Sequence, residues 1–146
     1  MDDAIERLLE IVGEDAPFLC SLATVSEDGG PAVRFVRAKA DADLTLRVPT
    51  FASTQKVRQI QANARVHITC GDTDSDRPGT YFQIEGRAEI TTAAPEREAC
   101  WTPRLAEWFS GPDDANYVVV KIQPAVIEAL PIGRSGKPSI WKLDVA

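Results

Sequence analysis

Thr50, Ser53, Thr54 and Lys56 place hydroxyls and an ammonium within seven residues, between a strand-like run and the start of a helix. Together these groups are suited to holding a phosphate. Val57, Ile60 and Ala64 have helical spacing, and Ser53 or Thr54 is a good N-cap, so the first unpaired backbone N–H groups should lie near Gln55 and Lys56. A helix start attracts anions through those N–H groups and the aligned peptide dipoles, and Lys56 adds a full charge. The plainer alternative is a capped surface helix with a solvated lysine.

Upstream, Pro31 to Ala40 alternates as a strand, with Val33, Phe35, Arg37 and Lys39 on one face and Ala32, Arg34, Val36 and Ala38 on the other. A half-buried strand usually keeps its charges on the wet side, so an arginine on each face suggests that one meets an anion. Arg34 is the better candidate, because its planar fork can grip phosphate at two points; a salt bridge to a carboxylate is the alternative.

The series Arg34 to Lys39, Thr50, and Thr54-Gln55-Lys56 leading into Val-Arg-Gln-Ile-Gln-Ala-Asn-Ala-Arg-Val resembles the FMN-binding split-barrel proteins of the pyridoxamine 5'-phosphate oxidase-like superfamily. In that group the motif is Arg-x-x-x-x-Lys, a strand, then Thr and a Ser/Thr-Arg-Lys turn opening a helix that ends in Asn-Pro-x-Val. Here Gln55 and Ala64 replace the usual arginine and proline. The segments Leu22 to Pro31, Tyr81 to Glu89 and Trp101 to Phe109 fit best with the general stress protein branch, and the likeness spans residues 5–130.

The resemblance implies a mainly β fold, a six- to seven-stranded antiparallel split barrel with marginal helices. It further implies FMN, with FAD as a second option, at a two-fold interface of a homodimer. Arg34 and Lys56 match phosphate-holding positions, with Thr54 as hydroxyl partner. The backbone at Phe35, Val36 and Arg37 and at Pro49 and Thr50 matches strand positions lining the isoalloxazine ring. Gln55 matches an arginine near the flavin, so a positive charge is missing there. Lys39 matches a residue that reaches the substrate phosphate in true oxidases, but strict alternation sets it on the face opposite Arg34. The expected function is an FMN-dependent reductase of an unidentified small molecule, with NADH or NADPH as reductant. A non-catalytic flavin-binding or flavin-storage protein is the alternative, and an empty barrel serving as an interaction module is a third. Pyridoxamine 5'-phosphate oxidation is disfavoured, because the arginine, tyrosine and serine signatures for the substrate phosphate are not recognisable. The catalytic residues are unknown at this stage.

Trp101 and Trp108 lie seven apart in a helical pair spanning Pro95 to Phe109, and should therefore share one face. Core packing is the first expectation for them; contact with the ring or a partner subunit is the second. His67 is the only histidine, and Cys20, Cys70 and Cys100 show no metal-ligand or disulfide spacing, so no metal is expected.

At 146 residues, 44% hydrophobic and 26% charged, the chain suits one domain with an ordinary core. It has no apolar run near membrane-spanning length, and its acidic start lacks the basic region of a signal peptide. Cytoplasmic residence and no membrane partner are thus expected. A net charge of −6 argues against nucleic acid. Even so, Arg34, Arg37, Lys39, Arg47, Lys56 and Arg58 cluster in 25 positions among 16 basic residues, enough for one local site sized for a small anion.

The elements that must position these residues begin with an amphipathic helix at 4–12, stopped by Gly13. Strands are predicted at Phe18–Val25, Ala32–Ala40, Leu44–Val48, Val66–Cys70, Thr80–Thr91 and Tyr117–Ile122, the last continuing over Ala125–Leu130. A helix over Ser53–Asn63 interrupts the series. The loop Gly71–Gly79 spaces its acids like a calcium loop but lacks the downstream glutamate, so it reads as a solvated hairpin. In the tail, 131–146, Gly133–Pro138 reads as loose, and Ile140, Trp141 and Leu143 should dock again.

Overall fold

The computed structural model describes residues 2–71, 80–131 and 139–143; the acid-spaced loop after Gly71 and Gly133–Pro138 fall outside the described residues. Helix α1 (Asp2–Val12) ends where Gly13 takes φ +87° and its amide reaches the Leu9 carbonyl at 2.8 Å, the left-handed stop that glycine accepts without strain. Alternation along β1 (Phe18–Val25) buries Phe18, Cys20, Leu22 and Thr24. Strand β2 (Pro31–Ala40) returns beside it through a turn in which Gly29 takes φ +86°. Val36, Ala38 and Ala40 point inward, on the same face as Arg34.

The third strand, β3 (Leu46–Phe51), starts two residues later than the sequence suggests and runs three further. Leu44 lies in a turn at φ +65°, and the Thr45 amide donates to both the Asp41 and Asp43 carboxylates at 3.0 Å. Those short acidic side chains offer the backbone a turn in place of a ladder, while the Leu44 side chain is still fully buried. Helix α2 (Gln55–Ala62) leads into β4 (Arg65–Gly71) and β5 (Thr80–Thr91). Then come α3 (Ala94–Cys100), a 3₁₀ turn (Pro103–Glu107), β6 (Tyr117–Pro131) and β7 (Ser139–Lys142).

All pairings are antiparallel, in the order β3-β2-β1-β4-β5-β6-β7, and a further β3–β6 pairing closes β1 to β6 into a six-stranded barrel with helices at its margins. Closure removes the exposed edges that an open sheet of these strands would leave. β6 is the strand that splits. One edge serves β5 from Val119 to Pro131, while the other serves β3 over Tyr117–Ile122 and then β7 over Val126–Ala129. A register shift opposite Glu85 and Gly86 lets it bend, and Gly86 is required there because a Cβ would lie 2.7 Å from the Gln123 carbonyl oxygen.

Leu22, Leu46, Val48, Ile68, Phe82, Ile84, Ile122 and Ile127 fill the barrel, each worth roughly 1.5–3 kcal/mol of burial. Cys20 and Cys70 belong to this core, and burial pushes both thiols up to about 12. A smaller cluster of Cys100, Leu105, Phe109, Tyr117 and Val119 packs α3 and the 3₁₀ turn against β6. Among the described residues, no helix is long and apolar enough to cross a membrane.

Candidate functional site

Thr50, near the end of β3, and Thr54, at the start of α2, face one another with hydroxyl oxygens 3.3 Å apart. The Lys56 ammonium donates to Thr50 Oγ1 at 2.8 Å. Thr54 occupies the N-cap position, but its hydroxyl does not cap; it donates to the Phe51 carbonyl at 3.0 Å. The hydroxyls that the sequence places together therefore do converge, though not as a helix cap, and Ser53 offers only its carbonyl, to Arg58.

Behind Lys56 stands Arg34. Its Nη1 donates to Thr24 Oγ1 at 2.7 Å and to the Leu22 carbonyl at 3.1 Å, and its Nη2 donates to Gln59 Oε1 at 3.0 Å. Every one of these acceptors is neutral, so the carboxylate partner considered from the sequence is not what holds this arginine. Half-burial lowers the pKa of Lys56, and the nearby Arg34 charge lowers it further. Among the described residues neither cation has an ion-pair partner. Two like charges brought together without a counter-ion cost free energy that an anion at the Thr50 and Thr54 hydroxyls would recover.

Lys56 opens onto a cavity of about 550 Å³, within the range of small-ligand sites. Arg37, Lys39, Pro49, Thr50, Thr54 and Lys56 line it, as does Trp108. Other candidates lie elsewhere. Phe35 points outward at 78% exposure, and Val36 is buried in the barrel. Gln55 is exposed and borders a separate hollow with Ser26, Glu27, Asp28 and Arg58. Lys39 reaches the wall on the face opposite Arg34, as alternation requires. Its ammonium is engaged by the Asp15 carboxylate and the Ala99 carbonyl, both at 3.0 Å.

The two tryptophans do not share a helical face. Trp101 falls in the break between α3 and the 3₁₀ turn, where helical spacing no longer applies, and packs edge-on against Tyr117 with ring centroids 5.6 Å apart. Trp108, 51% exposed, stands at the cavity mouth with the Arg104 guanidinium 5.8 Å above its ring.

Sequence reasoning missed Phe51, Arg104 and Phe109 on the wall and the buried pair Thr24 and Gln59 behind it. Phe51 stacks on Phe109 at 4.7 Å, which fastens the end of β3 to the segment after the 3₁₀ turn. α3 is tethered by Glu96, which accepts from Arg47 at 2.6 Å and from Lys121 at 2.9 Å. These two cations, Arg47 foremost, hold the Glu96 carboxyl below its ordinary pKa. Cys100 also meets the wall, but its buried thiol is raised to about 11 and is no thiolate near neutral pH. His67 is exposed on β4, and no group of metal-ligating side chains occurs among the described residues.

A family profile described as "Pyridoxamine 5'-phosphate oxidase" matches residues 1–130. General stress protein 26 of Bacillus subtilis (strain 168) is 31% identical over 138 residues, covering 94% of this chain and 96% of that one. The crystal structure of General Stress Protein 26 from Bacillus anthracis str. Sterne superposes with a TM-score of 0.76 at 25% identity, covering 97% of this chain and 98% of that one. A protein related to it from Clostridium acetobutylicum gives a TM-score of 0.78 at 18% identity, covering 98% and 96%, a likeness of fold alone.

Proposed function

The chain belongs to the pyridoxamine 5'-phosphate oxidase family, and from that premise we propose that it binds a flavin nucleotide, FMN before FAD, as a homodimer in the cytoplasm, and reduces a small molecule. The observation that carries this reading is the uncompensated pair Lys56 and Arg34 behind the Thr50 and Thr54 hydroxyls. In the proposed complex these four residues hold the phosphate, while Pro49, Arg37 and the aromatic side of the cavity take the ring. Bound FMN would supply hydride and electron transfer. The protein's own share is to bind, orient and exclude water, since among the described residues the wall contains no carboxylate and no histidine to move a proton.

A dimer is supported by the outer face of β1 and β2, where Leu19, Val33 and Phe35 stand 59%, 68% and 78% exposed around paired positions. A second copy covering that face would also border the cavity through Arg37, the cross-strand neighbour of Leu19. Pyridoxamine 5'-phosphate oxidation remains disfavoured, because Lys39 is spent on Asp15 and Ala99. The lack of a carboxylate or histidine on the wall among the described residues favours the second reading, a flavin-binding or flavin-storage protein without turnover.

Titration with FMN and riboflavin tests the clamp. Arg34→Ala with Lys56→Ala should weaken FMN strongly and leave riboflavin nearly unchanged; equal losses, or no flavin binding by the wild type, would defeat the reading. Bleaching of the bound flavin by NADH or NADPH, with reoxidation by an added acceptor, separates the reductase from the storage protein.

A further inference from the structure

Cys20 and Cys70 are far apart in sequence, but the barrel brings them to one place. Strand β1 pairs antiparallel with β4, with Ser21 opposite Thr69, Leu22 opposite Ile68 and Ala23 opposite His67. One step further in that register, Cys20 of β1 lies opposite Cys70 of β4. Both side chains point into the barrel, 3% and 5% exposed, and belong to the same buried cluster. The Cys20 thiol is close enough to add to the rise that burial imposes on the Cys70 pKa. Directly opposed antiparallel residues stand about 4.5–5.5 Å apart at Cα, inside the span of about 4.4–6.8 Å that a disulfide bridges. Both cysteines are free in this structure, and Cys100 belongs to the separate cluster beside α3.

The pair sits where the seam between the two strands gives out. The β1–β4 ladder covers only Ser21 to Ala23 of β1, whereas β2 pairs with β1 along the whole of that strand. Just beyond Cys70, β4 ends at Gly71 with φ +140°. We propose that Cys20 and Cys70 are a modification site, a cross-strand dithiol that hydrogen peroxide oxidises to a disulfide. One thiol, as its thiolate, attacks a peroxide oxygen; the O–O bond breaks, and the hydroxide released takes up the thiol's proton and leaves as water. The second thiol then attacks the resulting sulfenic acid sulfur, the S–O bond breaks, and a second water leaves. Two electrons pass from the thiols to one peroxide, and one S–S bond replaces two S–H bonds. With both thiols pushed up to about 12, the thiolate is scarce and the first step is slow. The bridge closes a ring from residue 20 to residue 70, and Arg34, Thr50, Thr54 and Lys56 all lie within it. It therefore restricts the unfolded chain over the strands that carry the clamp.

The test uses Cys100→Ala, whose only thiols are Cys20 and Cys70. The folded variant is treated with hydrogen peroxide, quenched with catalase, unfolded in guanidinium and alkylated. It should lose two hydrogens in intact mass, take up no alkyl group and yield a Cys20–Cys70 linked peptide. Its melting temperature should rise by about 5–15 °C and return on reduction with dithiothreitol. Adding Cys20→Ala or Cys70→Ala to this variant should abolish both the two-hydrogen loss and the rise. Thiols that still alkylate after peroxide, or that gain oxygen without joining, overturn the proposal. So does a bridge that forms only when the protein is unfolded before oxidation, or one that lowers the melting temperature. If Cys100→Ala does not fold, peptide mapping of oxidised wild type reads the same bridge with the same outcomes.

Discussion

Gln59 is the residue through which the phosphate reading can be tested most sharply. It lies on α2, only 3% exposed, and its Oε1 accepts from Thr24 Oγ1 at 2.5 Å and from Arg34 Nη2 at 3.0 Å. A neutral acceptor fixes the guanidinium while leaving its charge uncancelled. Gln59→Glu keeps the shape and the acceptor but sets a negative charge beside Arg34. Two unit charges about 4 Å apart attract by about 4 kcal/mol at an effective dielectric near 20, comparable with what Arg34 could gain from a phosphate. If the new carboxylate cancels one charge-assisted hydrogen bond, worth about 1.5–3 kcal/mol, FMN affinity should fall roughly ten- to a hundredfold. Riboflavin has no phosphate to lose and should bind as before. Fluorescence titration of both ligands reads the effect, and an undiminished melting temperature shows that the fold is intact, since Arg34 would then be paired. Unchanged FMN affinity in Gln59→Glu, or equal losses of FMN and riboflavin, would refute the reasoning.

Because burial and the neighbouring Arg34 lower the pKa of Lys56, the ammonium is lost at a pH below the ordinary lysine value of 10.5. FMN affinity should therefore decline on the alkaline side before that pH, and also below about pH 6 as the phosphate takes up a proton, while riboflavin affinity stays level; a pH series of the two dissociation constants checks this. Glu96 has a folded pKa below its ordinary 4.5, so its ion pairs contribute stability above that pH and lose it as pH falls through the lowered value. Glu96→Gln should cost about 1–3 kcal/mol at neutral pH by denaturant unfolding, with the gap to wild type closing as pH falls through that lowered pKa. Phe35→Glu should convert the proposed dimer to monomer, read as a halved mass by light scattering. Gly86→Ala should lower stability by about 1–3 kcal/mol, because the added methyl meets backbone rather than a yielding side chain.

The barrel was legible because its strands alternate cleanly and its turns carry glycine and aspartate. β1 and β5 fall where their apolar patterns place them, and the expected continuation of the last strand is the single long β6. The errors have local causes. Leu44 reads as strand by side chain but is turned by two carboxylates that no hydrophobic pattern reports. Trp101 and Trp108 read as one face only if the helix between them is continuous; Pro103 opens a separate 3₁₀ turn instead.

The site was half legible for a different reason. Thr50, Thr54 and Lys56 are close in sequence, so the strand-to-helix turn that joins them also joins their functional groups. Arg34 could be picked out because a half-buried strand with an arginine on each face requires a reason, and its planar fork suits a phosphate. Gln59 could not, since a glutamine in a surface helix is ordinary until the fold brings Thr24 and Arg34 to it from strands 35 and 25 residues away. Arg104 was equally silent: its placement depends on the Trp108 ring and on Phe51 reaching Phe109, contacts that only the closed barrel creates. What the sequence does hold is the charge imbalance, a basic cluster within an acidic chain. Folding divides that cluster into cations already answered, such as Arg47 by Asp41 and Glu96 and Lys39 by Asp15, and cations left facing a cavity. The proposed chemistry lies with the unanswered ones, because a like-charged pair such as Lys56 and Arg34 persists at a cost that the rest of the barrel must offset, and a bound anion would relieve it.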